Sequence, residues 1–79
     1  MALLNKDLFQ VVEKEKNSIH EETHATYTVF SKEGRTLFQI DTFGSSEREI
    51  PGKVSQSIQI DKEMAEVLIA KLRGIFKLD

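Results

Sequence analysis

From Glu22 to Phe30 the chain alternates. Ala25, Tyr27 and Val29 fall on one side, and Thr26, Thr28 and Phe30 on the other. A period of two carried by threonine, tyrosine and valine predicts a strand, because branched and aromatic side chains suit a pleated surface. Ser31-Lys32-Glu33-Gly34-Arg35 then reads as a hairpin connection, with Gly34 free to take the positive φ such a turn needs. The return strand runs from Thr36 to Phe43. It puts Phe38 and Ile40 on one face, with Phe38 expected in the core, and Leu37, Gln39, Asp41 and Phe43 on the other. From Lys53 to Ile60 the alternation resumes, with Val54, Ile58 and Ile60 inward, Gln56 among them, and Ser55, Ser57 and Gln59 outward. After Asp61, a good N-cap, the period changes to that of a helix over Lys62 to Phe76. Met64, Val67, Leu68, Leu72 and Ile75 form its stripe, and Ala65, Ile69 and Phe76 widen it to roughly half the circumference at 3.6 residues per turn.

The amino-terminal stretch is ambiguous. Asn5 can cap a helix over residues 5–16, with Leu8, Val11 and Val12 on one face and Glu13-Lys14-Glu15-Lys16 as its solvated end. The same letters allow a strand with Phe9 and Val11 on one side. The helix is the reading adopted. The whole is an α+β fold on a single domain, residues 1–79: a three-stranded antiparallel β-meander, a C-terminal helix packed on one face, and an N-terminal helix. Three strands offer too little surface for so wide a helical face, so its remainder must meet the N-terminal segment or a partner molecule.

Composition narrows the function classes. With 79 residues and no cysteine the core is small, and neither a disulfide nor a thiolate zinc site reinforces it. A formal net charge of −2 does not favour a nucleic-acid binder, since phosphate neutralisation supplies most of such affinity. No apolar run approaches the ~18 residues of a membrane span, and the opening residues lack the features of a signal peptide, so the expected compartment is the cytoplasm.

The stretch richest in candidate chemistry joins the second and third predicted strands. Gly44-Ser45-Ser46 is a flexible exit, and Ile50-Pro51-Gly52-Lys53 has the signature of a type II turn, proline presetting φ and glycine supplying positive φ. Ser45, Ser46, Arg48, Lys53, Ser55 and Gln56 together form a set of donors suited to a phosphate or carboxylate. The competing reading is a solvated connection in which Glu47 and Glu49 cancel the cations, and this is the commoner fate of such a loop. Gly52-Lys53 is followed by Val54, so the Walker pattern is absent.

Three other constellations are weaker. His20, Glu22 and His24 would share a strand face, but the two histidines would lie ~13 Å apart at ~3.3 Å per residue, too far for one ion. Asp41 is the one acid inside an apolar strand. A general base there needs a cleft, and a wet sheet face explains it better. Tyr27, Phe30, Phe38 and Phe43 offer a stacking platform for single-stranded nucleic acid, though such aromatics are more often core. No catalytic residue, metal site or cofactor is assigned.

Ala25 to Phe30, Gln39 to Ser45 and Arg48 to Gln59 together resemble a group of small bacterial and phage-type proteins, some labelled "methionyl-tRNA formyltransferase-like". That label implies a doubly wound parallel sheet, whose alternating strand–helix units this chain lacks, so no catalytic residue is carried over. The resemblance implies a compact protein of phage or mobile-element origin. The expected function is a small non-enzymatic binding protein whose Gly44–Gln56 region contacts an anionic group on a protein, nucleotide or nucleic acid. The alternative is a homodimeric structural or inhibitory protein–protein module.

Overall fold

A computed structural model describes residues 1–44 and 53–79. The elements, in order, are β1 (Ala2–Leu3), one turn of 3₁₀ helix (Lys6–Leu8), β2 (Ala25–Lys32), β3 (Arg35–Thr42), β4 (Gln56–Ile60) and α1 (Lys62–Phe76). The strands form one mixed sheet in the order β1-β4-β3-β2. The expected meander is therefore present as β2-β3-β4, antiparallel throughout, and β1 adds a fourth strand parallel to β4 through Ala2 opposite Ile58 and Leu3 opposite Gln59.

The β2–β3 connection is tighter than the sequence suggests. Lys32 pairs with Arg35, leaving Glu33 (φ 55°) and Gly34 (φ 76°) as a two-residue loop. Positive φ at both positions is the signature of a type I′ turn, whose twist matches that of the strands it joins.

Asp61 caps α1 as expected and does a second job. One carboxylate oxygen accepts the Met64 backbone N–H at 2.9 Å, and the other accepts from Arg35 Nη2 at 2.9 Å, tying the hairpin to the helix start. The Met64 N–H holds the carboxyl below its ordinary value of 3.8; partial desolvation opposes this, and the Arg35 guanidinium reinforces it. A lowered folded pKa contributes stability that is complete above the unfolded value and lost as pH falls through the folded one. Urea midpoints should therefore drop on acidification below about pH 4, and Asp61→Asn, which keeps the cap but not the charge, should flatten that drop. Identical acid profiles in the two proteins would remove Asp61 from the account.

The N-terminal helix expected over residues 5–16 is not formed. Asn5 does cap, accepting the Asp7 N–H at 2.8 Å, but it caps only the Lys6–Leu8 turn. Residues 9–24 have no regular structure, and Val11 and Val12 are exposed. Helices this short are marginal without a packed face, and two valines lower the propensity further.

Burial also departs from expectation. Among the described residues the buried apolar side chains are Leu37 and Met64, with Met64 fully enclosed. Phe38, expected in the core, is only half-buried, and Ile40 beside it is exposed. Ser57, expected outside, is buried. Alternation sorts residues onto two faces but does not say which face is covered. The first turns of α1 lie beside the sheet, where Lys62 and Ala65 border a cavity with Val29, Phe38 and Ile60. Farther on, Ile69, Leu72, Ile75 and Phe76 are exposed, so the sheet does not cover the wide stripe. The helix ends at Lys77 in the left-handed region, its N–H and that of Leu78 both donating to the Arg73 carbonyl.

Gly74 sits inside α1, and a Cβ built there meets nothing within 4 Å. Gly74→Ala should therefore raise stability by about 0.8–1 kcal/mol through helix propensity, read as a higher urea midpoint at unchanged slope.

Candidate functional site

Phe43 follows β3, its N–H donating to the His24 carbonyl at 3.2 Å. Gly44 takes φ 74° and its carbonyl accepts from the Thr23 hydroxyl. On the far side of the loop the Ser55 N–H donates to the Thr42 carbonyl at 2.6 Å, and Gln56 opposes Thr42 in the ladder. The loop's two ends are thus held side by side at one end of the β3–β4 pair.

Of the six residues expected to form an anion site, Lys53 and Ser55 are exposed on the approach to β4 and Gln56 is exposed at its first position. Ser45, Ser46 and Arg48 lie outside the described residues, as does most of the turn expected over Ile50 to Lys53.

A second polar group lies on one face of the sheet. The register places Asp41 opposite Ser57 and Gln39 opposite Gln59. Gln59 Nε2 donates to Gln39 Oε1 at 2.7 Å, and Gln39 Nε2 donates to both Asp41 carboxylate oxygens, at 3.0 and 3.2 Å. These residues line an open cavity of about 450 Å³ together with Leu3 and Val54. Sequence alternation places Asp41, Gln39 and Gln59 on polar faces, but linking them requires the register of β3 against β4. The chain of donors satisfies itself: each glutamine orients the next group and Asp41 ends the line. Neither histidine is in this line. His20 lies within the irregular segment, and His24 stands at its end, just before β2. Among the described residues no three side chains of histidine or acid type gather to hold a metal ion.

The opposite face is apolar and open. Tyr27, Val29, Phe38, Ile40, Ile58 and Ile60 share it through the cross-strand pairs. Tyr27 stacks on Phe38 with ring centroids 5.2 Å apart, a diagonal contact between neighbouring strands. Yet Tyr27 is 68% exposed and Val29 63%.

Fold and surface together define a small α+β protein whose described residues form an open four-stranded sheet and one α-helix, the sheet having one polar and one apolar face. Compared with family models, curated proteins and solved structures, the chain matches none. No helix among the described residues is long and apolar enough to cross a membrane.

Proposed function

We propose that this chain is a non-enzymatic protein-interaction module that works as a homodimer. One observation carries the reading: the total accessible surface is too large for a compact protein that acts alone. The accessible surface is 7393 Å², whereas a compact monomer of this mass exposes about 4,900 Å². The excess, about 2,500 Å², is on the scale that each chain contributes to an obligate homodimer interface. The radius of gyration, 14.9 Å, likewise exceeds the roughly 12 Å of a compact chain of this length. Residues 9–24 account for part of the excess. The rest includes the exposed edge strand β2, the open sheet face beside it and the carboxy-terminal half of the α1 stripe, and a second copy would cover part of this surface.

Light scattering over a concentration series tests the reading. The expected mass is twice 9.0 kDa; a mass of one chain throughout would overturn it.

A second reading keeps the Gly44–Gln56 region as a contact for an anionic group, supported by the exposure of Lys53, Ser55 and Gln56 within four positions of the chain. Arg48→Ala combined with Lys53→Ala should then weaken binding of inorganic phosphate or a phosphorylated peptide by about tenfold or more, the loss of one or two charge-assisted contacts. Unchanged binding by titration calorimetry would remove the loop from the account. Phage or mobile-element origin and a cytoplasmic location belong to both readings as proposals, the first resting on the sequence resemblance.

A further inference from the structure

The hairpin fixes which backbone groups of β2 face away from β3. In a two-residue hairpin the closing pair, here Lys32 and Arg35, exchanges backbone hydrogen bonds. Antiparallel pairing then alternates, so Phe30, Thr28 and Thr26 also direct their N–H and C=O toward β3. The Phe43 N–H on the His24 carbonyl keeps the same phase at the far end. It follows that Ala25, Tyr27, Val29 and Ser31 turn their N–H and C=O outward. Among the described residues no strand lies beyond β2.

Sheet edges are normally blunted by shortness, proline, bulges or charge. β2 has eight residues in unbroken register, no proline, and one charge, Lys32, at its end. Every residue in it except Phe30 is exposed. The opposite edge is treated differently: β1 covers β4, and the Leu4 N–H extends the contact to the Gln59 carbonyl at 2.9 Å.

We infer that β2 pairs antiparallel with β2 of a second copy about a two-fold axis at Thr28, joining two four-stranded sheets into one of eight. This rests on the homodimer reading above and names its seam. The outward residues Ala25, Tyr27, Val29 and Ser31 are symmetric about Thr28. One register therefore uses all four, setting Ala25 against Ser31 and Tyr27 against Val29, with each strand serving as donor and acceptor alike. The same contact patch then occurs on both copies, as a two-fold interface requires. Side chains agree with that register. Tyr27 and Val29, the exposed large apolar residues of the strand, form an aromatic–branched pair twice over on the apolar face. Thr28 meets its own counterpart on the other face, and both pairings are favourable across strands.

The chain has no cysteine, so a single introduced thiol reports cleanly. Thr28 would sit on the axis as a non-hydrogen-bonded pair, with its Cα ~4.5 Å from its counterpart, within the range a disulfide spans. Thr26 and Phe30 would oppose each other instead, and each would lie ~13 Å from its own counterpart at ~3.3 Å per residue. Under mild oxidation Thr28→Cys should form a covalent dimer at least about tenfold faster than Thr26→Cys or Phe30→Cys, given that separation. Val29→Pro supplies an independent arm: it removes an outward N–H and leaves the β2–β3 ladder whole, so the dimer should dissociate while circular dichroism keeps its strand signal. Crosslinking no faster at 28 than at 26 or 30, or a dimer undiminished in Val29→Pro, overturns the seam while the homodimer reading stands. A wild-type monomer at every concentration overturns both.

Discussion

Met64→Ala should destabilise the fold by about 2–5 kcal/mol, the usual cost of truncating a buried methionine. Met64 is the one side chain among the described residues with no exposure at all, and it sits one turn into α1, where Asp61 caps the helix and meets Arg35. Truncation leaves a void at the place where helix, hairpin and sheet meet. A chain of this length commands only about 4–12 kcal/mol in total, so the variant would lose a large share and part of it would unfold at ambient temperature. Met64→Leu, close in volume, should cost less than about 1.5 kcal/mol. Urea titration checks both. A loss under about 1 kcal/mol for the alanine variant would mean that the surroundings collapse onto the gap, and that Met64 is not the centre of the core.

Tyr27→Lys combined with Val29→Lys should separate the proposed dimer, raising its dissociation constant by at least about a hundredfold, or ~2.7 kcal/mol. Both side chains are mostly exposed in the single chain, so the lysines are readily solvated there. Some fold stability is lost with the Tyr27–Phe38 stack, about 0.5–1.5 kcal/mol. At a two-fold seam the same lysines face one another from both copies, and charge on an edge strand is how natural sheets prevent such pairing. Light scattering at matched concentrations reads the effect, with circular dichroism confirming the fold. A mass equal to that of the wild-type dimer would place the interface elsewhere.

The elements legible in the sequence are those whose signal is local. Alternation over Glu22 to Phe30 and Lys53 to Ile60 marks two strands whose observed bounds are Ala25–Lys32 and Gln56–Ile60, and the stripe and Asp61 cap mark Lys62 to Phe76, a helix the structure reproduces to the residue. Asn5 has the chemistry of a cap, and it is one; continuing the helix past Leu8 would take packing, which a cap cannot supply. Ala2 and Leu3 give no signal because two residues carry no period, and their partner strand lies more than fifty positions away. The covered face is illegible for a similar reason. Leu37 and Phe38 are neighbours on opposite faces, and only the path of the helix decides between them. The loop expected to bind anions is legible as turn chemistry alone. The line from Gln59 through Gln39 to Asp41 needs a register that no single strand reveals.

The pairing of Ala2–Leu3 with Ile58–Gln59 has a kinetic side. The hairpin closes over two residues and can form within microseconds, whereas β1 must wait for a partner translated some fifty codons later. β1 therefore cannot dock until Ile58 and Gln59 have been made. Until it does, a nascent polypeptide shows both flanks of its sheet to whatever surrounds the ribosome.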